Sequence, residues 1–217
     1  MPSPRTKLIC FDCDSTLSAI EGIDEMARLR GADCFRQVER MTADAMDGRI
    51  SLDDIFRLRL DLIRPTRAEA VAIGQLYIQH VEPGARATIA ALRAGGWTPL
   101  IVSGGYTQAI EPLAAWLGIE RIEAVGLQFD ADGNYAGYDA THPAARRGGK
   151  PEIMRALRTE FAPERLVMVG DGASDLETRD VVDLFVGFGR YAERRAVKEG
   201  AAAYLYHLDQ LPGILAP

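Results

Sequence analysis

A chain of 217 residues with 47% hydrophobic side chains is long enough for one domain, or one domain carrying an insertion, and its three cysteines exclude a disulfide-stapled miniprotein. Lys and Arg number 25 against 31 Asp and Glu, a formal net charge of −6, which excludes the global basic field that draws in nucleic acid or anionic membranes. Any anionic ligand needs a local site.

The chain reaches Asp12 after a short apolar run, Leu8 to Phe11, too brief for a secretion signal or a membrane span. With the odd set Cys10, Cys13 and Cys34, this predicts a cytoplasmic, reducing setting. Cys10 and Cys13 match C-x-x-C, but positions three apart on a strand face opposite sides, and a zinc site wants a second pair. From Ser18 to Glu82 the apolar residues follow helical spacing, most regularly Leu52, Ile55, Phe56, Leu60 and Ile63, which predicts an inserted helical cap over 18–82. Helix-length segments follow at Gly84 to Ala94, Tyr106 to Leu117, Pro151 to Phe161 and Tyr191 to Gly200. They alternate with short apolar runs at Leu100 to Val102, Leu166 to Val169 and Leu184 to Val186, which read like Leu8 to Phe11 as buried parallel strands. Asp132-Gly133-Asn134, between Leu127-Gln128-Phe129 and Tyr135, predicts a β-hairpin turn. The fold expected is α/β: a doubly wound parallel sheet from 1–17 and 83–217, with ligands beyond the carboxyl ends of its strands.

Four polar motifs fall at those ends. Asp12-Cys13-Asp14-Ser15-Thr16 turns two carboxylates to one side if the backbone stays extended, and like charges so close call for a cation or for one of them to stay protonated. Helix capping by one acid is the structural alternative. Ser103-Gly104-Gly105 can converge N–H groups and a hydroxyl on an anion, although a strand-to-helix turn wants glycine for steric reasons as well. Lys150, just before Pro151, brings a cation to the same edge, whereas Arg146 and Arg147 read as a solvated loop. Gly170-Asp171-Gly172-Ala173-Ser174-Asp175 adds two acids, or is a solvated Asp-Gly turn if taken alone. An all-oxygen donor set without a His/Cys cluster suits Mg²⁺.

In this order the four motifs resemble those of the haloacid-dehalogenase-type phosphohydrolases over nearly the whole chain. Within them, Glu21-Gly22-Ile23-Asp24-Glu25 and the helix carrying Arg59 resemble the phosphoserine phosphatase family. The resemblance implies two-step hydrolysis of a small phosphomonoester, O-phosphoserine, with Asp12 as nucleophile and Asp14 as acid and then base. It implies Mg²⁺ held by Asp12, the carbonyl of Asp14 and Asp171, with Asp175 in support, and phosphate bound by Ser103, Gly104 and Lys150. Glu21 and Arg59 would hold the substrate's amino and carboxylate groups. Each has a structural alternative: Ser18-Ala19-Ile20-Glu21 is a capping-box pattern, and Arg59, on the face of Leu52, could pair with a cap acid. Three positions depart from the family: Cys13 replaces an aromatic or aliphatic residue, Ser174 a frequent Asn, and Leu52 an aromatic over the substrate.

Counting charges, four aspartates against Lys150 and Mg²⁺ leave −1 until Asp14 is protonated, so its like-charged neighbours are expected to raise its pKa. Gly187-Phe188-Gly189-Arg190-Tyr191-Ala192, with Asp209 downstream, also matches the G-x-G-x-x-A pattern of an NAD-binding oxidoreductase, though too little chain follows for the second half of such a domain. The four motifs would equally serve a phosphatase of another amino-alcohol or sugar phosphate, and the scaffold could carry a non-catalytic binding module. The partner expected is a small-molecule phosphomonoester, with neither nucleic acid nor membrane, for a monomer or homodimer.

Overall fold

The computed structural model describes residues 6–46 and 52–216; the side chain of Leu52, and with it the face it was expected to share with Arg59, lies outside the described residues. Strand β1 (Lys7–Phe11) runs through the middle of a parallel sheet, bonded on one side to β2 (Trp97–Tyr106) and on the other to β6 (Arg165–Gly170). With β3 (Arg121–Val125), β7 (Leu184–Phe188) and β8 (Ala203–Leu205) the order is β3-β2-β1-β6-β7-β8. This is a doubly wound α/β sheet, and its crevice opens beside β1, where the order reverses.

The four apolar runs are strands, as their composition predicts. The two edge strands went unpredicted: β3 carries Arg121 and Glu123, and β8 has three residues, so neither shows the continuous apolar run of a strand buried on both faces. Along β1 the side chains alternate, with Ile9 and Phe11 packing into one core and Leu8 and Cys10 into the other. Helices α5 (Ala85–Ala94) and α6 (Thr107–Leu117) cover the first, and α7 (Gly149–Phe161) and α9 (Arg195–Gly200) cover the second. Cys13 belongs to the first core, so Cys10 and Cys13 do face apart, and both thiols are free.

The described residues of 18–82 carry no sheet strand and form α1 (Gly22–Leu29), α2 (Ala32–Met46), α3 (Leu52–Ile63) and α4 (Arg67–Gln79). The two chain crossings into this segment are tied together: Ala19 N–H donates to the His80 carbonyl at 2.9 Å and Glu82 N–H to the Leu17 carbonyl at 2.8 Å. The predicted hairpin is present as antiparallel β4 (Leu127–Phe129) and β5 (Tyr135–Tyr138). Phe56 of α3 packs its ring against Tyr106 and Tyr138, at centroid distances of 5.4 and 5.2 Å, and so joins the helical segment to the sheet and the hairpin. One helix is shorter than its sequence suggests. α9 starts at Arg195, and the stretch from Gly189 to Arg194 is without helical structure.

Helix α4 lies along α6 with Gly74 against Pro112; a Cβ at position 74 would come within 2.4 Å of the proline ring, which cannot rotate away. Gly74→Ala is therefore expected to lower unfolding stability by about 1–3 kcal/mol, the usual cost of overpacking. Urea denaturation with an unchanged m-value checks this, and an unshifted midpoint would contradict the contact.

Candidate active site

The backbone N–H of Asp12 donates to the Val169 carbonyl at 2.9 Å, so the ladder between β1 and β6 continues into the first motif and fixes Asp12 beside the end of β6. Asp12 (ψ 160°) and Asp14 (ψ 137°) are each extended, and the chain then turns left-handed at Ser15 with φ +51°. Such a conformation costs a non-glycine residue about 1–3 kcal/mol. Ser15 offsets part of this by donating its hydroxyl to Glu21 Oε1 at 2.6 Å. The turn closes where Ser18 N–H meets the Cys13 carbonyl at 3.0 Å.

One cavity of about 220 Å³ receives nearly every residue singled out from the sequence. Asp12 and Asp14 line it from the end of β1, Ser103 and Gly104 from β2, Lys150 from the first turn of α7 and Asp171 from the end of β6. Glu21 and Arg59 close it from the helical segment. Asp175 stands behind the wall, fully buried: its Oδ1 takes Lys150 Nζ at 2.6 Å and its Oδ2 accepts from Gly172 N–H at 2.9 Å. The same ammonium is 3.0 Å from Asp12 Oδ2, while Asp12 Oδ1 accepts from Cys13 N–H at 2.7 Å. Ser103 Oγ accepts from Gly105 N–H at 3.1 Å, which leaves its own proton to donate.

Ligand oxygens of Asp12, Asp171 and Asp175 lie within 4.8 Å of one another, all three residues buried, and form a group able to hold a cation among the described residues. Burial is the main cause that holds the Asp171 and Asp175 carboxyls up, at about 7 and about 8, with the Asp12 charge next; Arg194 and Lys150 pull the other way. For Lys150, burial alone would favour the neutral amine, but Asp12 and Asp175 outweigh it and keep the ammonium charged. Three oxygen donors around a space with unspent negative charge fit a hard divalent ion.

Asp14 is pushed well above the ordinary carboxyl range, in the direction expected but for a different first reason. Burial dominates, and the Glu21 and Asp12 charges add to it. The charge count gains Glu21 on the negative side and, on the positive, Arg59 and Arg194, whose guanidinium lies 3.3 Å from Asp171 Oδ2.

Two sequence expectations are corrected. The Ser18–Glu21 capping box does not form, because Ser18 Oγ donates to the Tyr77 and His80 carbonyls, both at 3.1 Å, and Glu21 turns to Ser15. Gly187 and Gly189 serve packing rather than a dinucleotide: Cβ atoms there would lie 2.5 and 2.1 Å from Tyr204, and no helix starts directly after them. Three contributors were missed. Thr16 Oγ1 donates to Asp171 Oδ1 at 3.2 Å, Arg194 arrives from a stretch read as helix, and the Tyr77 hydroxyl donates to Asp14 Oδ1 at 2.6 Å. Arg194 and Tyr77 come from remote positions with no local signal. Arg59 Nε is buried without a hydrogen-bond partner among the described residues, while the arginine's charge acts on Asp24 of the helical segment.

The family model described as haloacid dehalogenase-like hydrolase matches residues 6–179. The chain is 36% identical to the phosphoserine phosphatase of Mus musculus over 95% of its length and 92% of that protein's. It is 32% identical to the phosphoserine phosphatase of Methanocaldococcus jannaschii, covering 85% and 86% of the two chains. A solved structure described as a phospho-aspartyl intermediate analogue of phosphoserine phosphatase superposes with a TM-score of 0.81 at 27% identity, over 98% of this chain and 100% of that one.

The raised carboxyls set a pH dependence. Folded Asp171 and Asp175 hold protons above the ordinary 3.8, so the cation-free fold binds more protons than the unfolded chain and loses stability as pH rises from about 4 to about 8. A divalent cation removes that penalty. The Tm gain on adding millimolar Mg²⁺ is therefore expected to be larger near pH 8 than near pH 5, and calorimetry showing equal gains would contradict the shared-ion geometry.

Proposed function

We propose, for a chain that belongs to the haloacid dehalogenase-like hydrolases and within them to the phosphoserine phosphatase family, a phosphoric monoester hydrolase that releases phosphate from O-phosphoserine through an aspartyl-phosphate at Asp12. The observation that carries this reading is the convergence, in one small cavity, of paired acids, a phosphate cradle and an arginine with an unclaimed buried N–H. At about 220 Å³ the space is smaller than the roughly 300–1,000 Å³ of sites for drug-sized ligands, which suits a small ester.

The substrate's phosphoryl oxygens are received by Ser103 Oγ, the Gly104 N–H and Lys150 Nζ, donors fixed before the substrate arrives. Arg59 takes the carboxylate and Glu21 the ammonium, which aligns the ester bond with Asp12. An oxygen of Asp12 attacks phosphorus, and the bond to the serine oxygen breaks as Asp14 gives that oxygen its proton. Water then enters where serine left, passes a proton to Asp14 and attacks the phosphorylated Asp12, whose P–O bond breaks to restore the carboxylate. Lys150 keeps Asp12 and Asp175 together, and Thr16 and Arg194 orient Asp171. A divalent ion, Mg²⁺ by the hardness of the donors, would be held by Asp12, Asp171 and the Asp14 carbonyl with Asp175 in support, and would supply positive charge against the phosphoryl oxygens. Three free buried cysteines fit a cytoplasmic setting.

Phosphate release from O-phosphoserine is expected to stop with a chelator and with Asp12→Asn. Arg59→Ala should lose about 10–100-fold in kcat/KM on O-phosphoserine, the worth of a charge-assisted grip of about 1.5–3 kcal/mol, and much less on O-phosphoethanolamine, which lacks the carboxylate. Equal losses on the two esters would remove the carboxylate assignment; full activity of Asp12→Asn would remove the mechanism.

A further inference from the structure

The two oxygens of Asp14 have different surroundings. Oδ1 accepts twice, from Gly22 N–H at 2.6 Å and from the Tyr77 hydroxyl at 2.6 Å. Oδ2 faces the phosphate cradle, since a Cβ built on Gly105 would lie 3.0 Å from it. Tyr77 is fully buried in α4 and comes to this carboxyl from 63 residues away. Its hydroxyl has no other hydrogen bond among the described residues, so its proton points at Asp14. Burial holds the phenol well above its ordinary range, and the group remains a donor. Its helix is seated against α6 through Gly74 and Pro112, a contact with no room to slide inward.

We infer that Tyr77 is a positioning residue for Asp14: together with the Gly22 N–H it fills Oδ1, fixes the carboxyl plane and leaves Oδ2 as the oxygen presented to the leaving group. The inference rests on the reading of Asp14 as the group that protonates that leaving group. A proton carried by Asp14 then sits on Oδ2, on the side of Ser103 and Gly104, because both acceptor directions of Oδ1 are taken. Tyr77 itself touches no reacting atom. Its contribution is to hold the acid in register, the kind of support whose loss leaves a site present but misaligned.

The test compares two esters in Tyr77→Phe, a variant that removes the hydroxyl and keeps the ring. O-Phosphoserine releases an alkoxide that needs the proton, whereas p-nitrophenyl phosphate releases a phenolate that departs without one. The expected result is a loss of about tenfold or more in kcat/KM for O-phosphoserine, carried by kcat with KM unchanged, and a change of less than about threefold for p-nitrophenyl phosphate. Gly22→Ala supplies a second route, since its Cβ would lie 2.1 Å from the Tyr77 hydroxyl and displace it; the same ester selectivity is expected. Equal losses on both esters, or none, in variants with wild-type melting would overturn the inference. Wild-type protein inactive on both esters would overturn the phosphatase reading instead, and this inference with it.

Discussion

Three carboxylates that the backbone will not let apart govern this molecule. β1 and β6 are hydrogen-bonded neighbours, Asp12 and Asp171 are the residues that leave them, and α8 (Ala173–Leu176) folds Asp175 back against both. The strands are buried on both faces, so the acids cannot spread without opening the core. Ionised groups withdrawn from water cost several kcal/mol each after relaxation, and that cost explains the company they keep. Lys150 bridges two of them and Arg194 meets the third. Enough negative charge is left for one more cation.

Around this cluster, hydrogen bonds fix orientation oxygen by oxygen. Cys13 N–H, Gly172 N–H and Thr16 Oγ1 each hold one carboxylate oxygen of the three acids, and these donors belong to the motif loops themselves. Asp14 is held differently, by groups from the helical segment, Gly22 and Tyr77. That segment also delivers Glu21 and Arg59 to the cavity, so in the proposed mechanism substrate recognition and the placing of the acid come from the same set of helices. In that mechanism the sheet contributes the nucleophile and the phosphate cradle. Such preorganised polar groups in a small space are the usual source of transition-state stabilisation.

Much of this was legible in the sequence, for physical reasons that differ from element to element. Strands covered on both faces require continuous apolar runs, and those at Leu8, Leu100, Leu166 and Leu184 mark the centre of the sheet. Acids placed at the ends of such strands must meet at one edge, which is why Asp12 and Asp171 could be brought together from positions far apart. Edge strands β3 and β8 are half solvated or very short and leave no such run. Local patterns misled where a tertiary partner offered more: Ser18 and Glu21 gave up a capping box for His80, Tyr77 and Ser15. The G-x-G-x-x-A match reflects the space needed by the Tyr204 ring. Tyr77 was invisible because a large aromatic at helical spacing from Ala70, Ile73 and Gly74 reads as core, and only the meeting of α4 with the first motif shows where its hydroxyl goes.

The central claim is that separate stretches of chain build one divalent-cation site at the junction of β1 and β6. Mn²⁺ titration followed by electron paramagnetic resonance tests it most directly, since the oxygen donors that suit Mg²⁺ also take Mn²⁺. The account predicts one bound Mn²⁺ per chain, lost in folded Asp171→Asn and weakened in Asp12→Asn. Binding that is unchanged in both variants would contradict it.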